Sequence, residues 1–378
     1  MEKVINILVS AIMLLLVTSC ANTSKHHQIT SDDYLHNYPH TLLTKEQMKE
    51  DLDFLSYSLK NTYIGSYFPK MKEQTKKAIM ELNSYKIENP LKAKDFCSVL
   101  NKKAKSIKDS HFRISYLGKS CTKRVKANFL GESLAGKRPW TVELKGKKLF
   151  IAMRTMNTSL SNDWTGFLAK VKQTHKESDH IFFDLRGNLG GGTGVSSKML
   201  DILAEKSVPS AFSQKMSNRG AISLQMHLNM LNSSSTNGKY RKSLISELEL
   251  NKKKYKLNHI VNNSETQRKY LLSSIDIGKK ITVVVDNQCA SACEMFLMQL
   301  RFFKNVKIYG DRTSGALHTG ETGYFLLPKS NILITMPISA FSYHSDEYFE
   351  GIGISPDVQF ENREEVEYLI KIIVNNFK

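Results

Sequence analysis

The sequence predicts an α/β fold, and three observations predict it. Short β-branched and aromatic runs, "HFRISYL", "WTVEL", "KLFIAMRTM", "HIFFDLR", "ITVVVD", "VKIYGD", "YFLLP" and "NILITMPIS", recur after residue 109. Stretches with helical periodicity lie between them, at 162–176, 194–205 and 292–303. With 378 residues, of which 41% are apolar and 24% charged, the chain is long and apolar enough to bury a full core.

The first twenty residues, "MEKVINILVSAIMLLLVTSC", carry Lys3, an apolar stretch from Val4 to Val17 and small residues before Cys20. This reads as a secretory signal at 1–20, since the apolar part is too short for a span and contains Asn6 and Ser10. The ending "VTSC" resembles a bacterial lipobox, which makes Cys20 the expected lipidation site, and Ala21 behind it permits outer-membrane sorting. An ordinary signal peptide cut slightly later is the alternative. Residues 21–43 then form a polar tether.

A helical domain is expected over 44–108. "TKEQ" can form a capping box between Thr44 and Gln47, and Met48, Leu52, Leu55 and Leu59 follow at three- and four-residue spacing. Phe96, Leu100, Ala104 and Ile107 mark a further helix. The α/β core occupies 109–378, interrupted at about 206–280 by a Ser/Asn/Lys-rich stretch read as a helical insertion, with helices at 222–231 and 265–274.

Apart from Cys20, the cysteines are Cys97, Cys121, Cys289 and Cys293. An even number permits disulfides without assigning them. Cys97 with Cys121 is the pair to test, and Cys289 and Cys293 read as small buried residues. There is no CxxC or His/Cys cluster with zinc spacing, so no metal is expected. The net charge of +18 is scattered over short clusters rather than concentrated and interleaved with aromatics, which excludes a nucleic-acid surface. It suits solubility and an anionic envelope surface, or is simply a basic composition.

Two strand-to-helix turns carry the chemistry. In "FFDLRGNLGGGTG" the glycines Gly190, Gly191 and Gly192 follow an apolar strand, and they can leave N–H groups uncovered for an anion. The Lys-Ser/Thr ending of a phosphate loop is missing, as is the spacing of a dinucleotide fingerprint. In "ITVVVDNQCASACEMF" Ser291 stands between strand and helix, either as a nucleophile or as a small packing residue. The Ala292 N–H at the helix start could join a glycine N–H in an oxyanion hole. A serine hydroxyl still needs a base.

The ordered landmarks "DLRGNLGGG" (184–192), "VVVDNQCASACEMF" (283–296), "YGDRTSG" (309–315) and "EGIGISPDV" (350–358) resemble the C-terminal processing protease and tricorn core protease family. These are serine peptidases with a crotonase/ClpP-like core, and the resemblance covers roughly 109–360. The processing branch places a lysine base after the third motif, where this chain has Ala316; Lys329 is a conceivable substitute. The tricorn-like branch takes its base from a Ser-His pair, matched by Ser110 and His111 in "KDSHFRIS", and its acidic member matches Glu350. His318 and His344 are competing bases. No PDZ domain is recognisable between 112 and 180, which argues against selection of free C-termini.

The expectation is therefore a serine endopeptidase that forms an acyl-enzyme, with Ser291 as nucleophile and His111 as general base. Ser110 and Glu350 complete the charge network, and Gly190 or Gly191 with Ala292 bind the oxyanion. No cofactor or metal is expected. The partners are a peptide or unfolded-protein substrate and a membrane reached through the lipid anchor on the periplasmic side; nucleic acid is not among them. An envelope esterase or amidase, or a non-catalytic binding protein with the same fold, are the alternatives.

Overall fold

The computed structural model describes residues 42–121, 138–158, 163–232, 238–253, 260–262, 274–343, 347–360 and 362–375. Cys20 with the signal peptide, most of the tether, the helix expected at 265–274 and His344 lie outside them.

The N-terminal region forms as its periodicity implies. Strand β1 (Leu42–Leu43) pairs with β2 (Leu91–Lys92), and three helices follow one another: α1 (Lys45–Asn61), α2 (Pro69–Asn83) and α3 (Ala93–Lys103). The capping box closes, since the Gln47 N–H donates to Thr44 Oγ1 at 3.2 Å and the Thr44 N–H to Gln47 Oε1 at 2.9 Å. Met48, Leu52, Leu55 and Leu59 are buried. Their core does not stop at residue 108, because it includes Ile114, Leu327, Ile332, Ile334 and Met336 from the following β-structure.

Two six-stranded sheets form the rest. The first has the order β14 (Val358–Gln359), β11 (Val306–Gly310), β10 (Lys280–Val285), β7 (His180–Asp184), β6 (Lys148–Met153) and β5 (Trp140–Lys145). All its pairings are parallel except β5 with β6. Strand β10, "KITVVV", is buried from Ile281 onward, as expected for a strand covered on both faces. Helices α4 (Trp164–Thr174), α5 (Thr193–Ala204) and α8 (Ala292–Leu300) connect or follow these strands, and α9 (Arg363–Asn375) closes the described chain.

The second sheet is antiparallel and centres on β13 (Leu333–Tyr343). It runs β4 (Lys119–Ser120), β3 (Arg113–Tyr116), β13, β8 (Phe212–Asn218) and β9 (Ile260–Asn262), with β12 (Thr319–Leu326) also paired to β13. The stretch read as a helical insertion thus supplies two strands as well as helices α6 (Ala221–Asn232) and α7 (Gly238–Lys253). The sequence "FSQKMSN" of β8 has too few apolar residues to signal a strand, and pairing with β13 makes it one. Phe341 and Tyr343 of β13 enter the core of the first sheet, so the two sheets pack as one body.

Candidate active site

Strands β7 and β10 run side by side in register, Val284 opposite Asp184, and their carboxyl ends release the glycine loop and the Ser291 turn at one place. Asp184, held well below the usual carboxylate range despite its burial, accepts both guanidinium groups of Arg154 and Arg186 and anchors the glycine loop at its start. Asn188 joins three segments: its Nδ2 donates to Met153 O at 2.9 Å, its carbonyl accepts the Ala290 N–H at 3.1 Å, and its Oδ1 accepts the Gly190 N–H at 2.9 Å.

Ser291 is the N-cap of α8 and has φ 56° and ψ −119°, a conformation that costs an L-residue of order 1–3 kcal/mol. Glu294, fully buried, holds it there. Its carboxylate accepts the Ser291 N–H at 3.0 Å, the Ala316 N–H at 2.7 Å, the Gly315 N–H at 2.7 Å and the Thr313 hydroxyl at 2.5 Å. Burial raises the Glu294 pKa against these four donors. The position that would carry a lysine in the processing branch is thus a backbone donor to Glu294.

His111 Nε2 lies 3.2 Å from Ser291 Oγ. Its Nδ1 lies 3.2 Å from Thr319 Oγ1, and that hydroxyl donates to Asp109 Oδ1 at 2.9 Å. Asp109 Oδ1 also accepts the His111 N–H at 2.8 Å and sits 3.7 Å from Nδ1, while Oδ2 accepts the Tyr63 hydroxyl at 2.6 Å. Burial pushes the His111 pKa below the usual imidazole range; Asp109 opposes this and Arg113 reinforces it.

The other expected members sit differently. The Ser110 hydroxyl is buried with no hydrogen-bond partner among the described residues. Glu350 is buried and spends Oε2 on the N–H groups of Leu317 and His318, at 3.1 and 2.7 Å, while Oε1 has no such partner. Burial, then the charge of Asp109, raises the Glu350 pKa well above its usual value. Among the described residues neither bonds to the His111 ring, which faces Thr319 Oγ1 and Asp109 Oδ1 instead. His318 is locked by Phe341 O on Nδ1 at 3.1 Å and the Phe349 N–H on Nε2 at 3.0 Å, and Tyr348 stacks on its ring. Lys329 pairs with Glu50 at 3.1 Å and its N–H bonds Asp51, both on α1.

Of the glycines, Gly190 approaches Ser291 so closely that a Cβ would meet Ala290 O at 2.5 Å and Ser291 Cβ at 3.0 Å. Its N–H is taken by Asn188. The N–H groups of Gly191 and Ala292 have no hydrogen-bond partner among the described residues. Cys289 and Cys293 form a disulfide across Ser291, rather than remaining small buried thiols, and Cys97 pairs with Cys121. Glu294 had a sequence signal, the S-x-x-E spacing of a capping box, and Asp109 stood within the quoted "KDSHFRIS". Thr319 and Tyr63 had none. Asp109, His111 and Glu350 also bring one ligand atom each within 4.8 Å of one another.

The Peptidase family S41 profile matches residues 148–360, which is more than half of the chain. No curated protein sequence matches it. A candidate peptidase of Parabacteroides merdae is 13% identical, with a TM-score of 0.54 over 86% of this chain and 96% of that one. Mature CPAF, solved with lactacystin, is also 13% identical, with a TM-score of 0.54 over 88% of this chain and 98% of that one. At such identities the structures speak for the fold alone. The fold and the profile define the class: the chain belongs to peptidase family S41, as the four motifs implied. It is accordingly a serine peptidase, a hydrolase whose substrate is a peptide or protein.

Proposed function

We propose that the protein is an endopeptidase that works through an acyl-enzyme, with Ser291 as nucleophile and His111 as general base. The observation that carries this reading is the 3.2 Å contact of His111 Nε2 with the hydroxyl of a serine held at positive φ at a helix start. In the resting tautomer His111 Nδ1–H donates to Thr319 Oγ1, leaving Nε2 to accept the Ser291 proton. As the imidazolium forms, Asp109 stabilises it directly and through Thr319, and Tyr63 holds Asp109 in place.

Ser291 Oγ adds to the peptide carbonyl. The oxyanion is received by the N–H groups of Ala292 and Gly191, with the N-terminus of α8 adding its dipole. His111 returns the proton to the leaving amine, and a water deprotonated by the same nitrogen then hydrolyses the acyl-enzyme. Ser110 and Glu350 support the fold of the turn behind His111 rather than touching the reacting atoms. We further propose that Cys20 is lipidated and that the enzyme is held at the outer membrane facing the periplasm. No helix among the described residues is long and apolar enough to cross a membrane.

Fluorophosphonate labelling tests the site. Wild type should label and digest casein, and Ser291→Ala and His111→Ala should do neither. A folded wild type that labels nothing sinks the nucleophile reading, and hydrolysis of acyl esters with no peptide cleaved would favour the esterase instead. Fatty-acid labelling lost in Cys20→Ala would support the anchor; labelling that persists would refute it.

A further inference from the structure

We infer that the Cys289–Cys293 disulfide is a positioning element of the catalytic serine beside Glu294, so that the reactivity of Ser291 depends on this cross-link being closed. The inference rests on the reading of Ser291 as the nucleophile. The cysteines stand two residues either side of it, with Cα atoms 5.4 Å apart and both side chains fully buried.

The backbone of Ser291, at φ 56° and ψ −119°, persists only if both of its flanks are fixed. The upstream flank is tied by backbone bonds: Cys289 N–H to Asp286 O at 3.0 Å, Ser314 N–H to Cys289 O at 2.9 Å and Ala290 N–H to Asn188 O. The downstream flank is the first turn of α8, which carries the Ala292 N–H and the Glu294 carboxylate. Only one backbone bond, Cys293 N–H to Ala290 O at 3.1 Å, joins the two flanks directly across the serine. The disulfide adds a covalent tie at the same place. It therefore fixes three things together: the direction of Ser291 Oγ toward His111, the oxyanion donor beside it and the clamp on residues 313–316.

Opening the bridge keeps both sulfurs in the core but parts them to van der Waals distance, and two alanines remove them and leave a small cavity, so either change removes the tether at a modest packing cost. A dithiol reductant opens it by thiol–disulfide exchange. Its two sulfurs become a cyclic disulfide, and its two hydrogens end on the sulfurs of Cys289 and Cys293. Activity then belongs to the oxidised form of the enzyme, and full activity belongs to an oxidising compartment.

The test uses the full secreted chain and measures the rate of Ser291 acylation by a fluorophosphonate, kcat and KM on a peptide, and cooperative unfolding. In Cys289→Ala/Cys293→Ala, acylation and kcat should fall at least tenfold with KM within about twofold of wild type, the pattern of an interaction needed only for chemistry. Cys97→Ala/Cys121→Ala should keep wild-type kcat. On that second background dithiothreitol can open only Cys289–Cys293. The rate should fall by the same factor there and return on reoxidation, which keeps the test valid should the alanine pair fail to fold. Wild-type acylation rates in the opened or the alanine-substituted protein would overturn the inference. A wild type that is not acylated at all would instead overturn the reading of Ser291 on which it rests.

Discussion

At the scale of the residue, the environment of His111 decides its useful pH range. Burial is the largest influence and favours the neutral imidazole, so the proposed base stays unprotonated to lower pH than an exposed histidine. The acid limb of kcat/KM should therefore lie below pH 6.5. Asp109 and Arg113 supply a two-sided check. Asp109 raises the His111 pKa, so Asp109→Asn should move the limb to still lower pH and cut kcat by about 10²–10⁴-fold through loss of orientation. Arg113 lowers it, so Arg113→Ala should move the limb upward with little change in kcat. A pH–rate series on the three proteins reads both signs, and two shifts in the same direction would exclude His111 as the titrating base. As candidates, Ser291 and His111 were legible because each stands in a local motif. Their supports were not, because Thr319 meets Asp109 across 210 positions of sequence and Tyr63 meets it across 46. Glu294 sits between these cases: its spacing from Ser291 was visible, while its bonds to Gly315 and Ala316 depend on the fold.

At the scale of the element, legibility followed side-chain pattern. Strands β7 and β10 and helices α1 and α8 declare themselves through apolar runs or stripes. Helix α7 and strands β8 and β9 do not: α7 buries a narrow stripe, Leu244 and Leu248, against Leu224 and Leu228 of α6, and β8 owes its place to backbone pairing. The Cys97–Cys121 bond, the pair singled out for testing, joins α3 to the chain just after β4 across 24 positions. Closing a loop of that length restricts the unfolded chain by about 3 kcal/mol in the chain-entropy account. Cys97→Ala/Cys121→Ala should therefore lose about 3 kcal/mol in denaturant unfolding while its acylation rate stays unchanged. Its contribution falls on the N-terminal helices and β3, whereas the bond around Ser291 is the one proposed to act on the chemistry. A loss of acylation in the Cys97/Cys121 variant would show that the two bridges are not divided in this way.

At the scale of the whole molecule, the site exists only because two sheets meet. The first sheet brings Ser291 and the glycine loop, and the second brings His111 before β3 and Thr319 at the head of β12. Five histidines, of which His175 and His318 are buried and His111, His180 and His227 half-buried, have pKa values lowered chiefly by desolvation. His175 isolates the consequence best, since it is buried and neither ring nitrogen has a hydrogen-bond partner among the described residues. Lys279 and Lys176 lower its pKa further, and Glu205, 3.9 Å from Nε2, works in the opposite direction. The folded-state pKa lies below the unfolded value, so the unfolded chain binds the extra proton first as pH falls. Stability tied to neutral His175 is thus fully present above about pH 6.5 and declines as the pH drops toward the folded-state value. The slope cannot exceed about 1.4 kcal/mol per pH unit for one proton. Unfolding free energies of wild type and His175→Leu, measured from pH 7.5 to 5, should therefore diverge, with wild type losing ground only below about pH 6.5. Parallel curves over that range would mean that the ring is solvated or paired in the folded protein, and the proposed cost of burying it would be wrong.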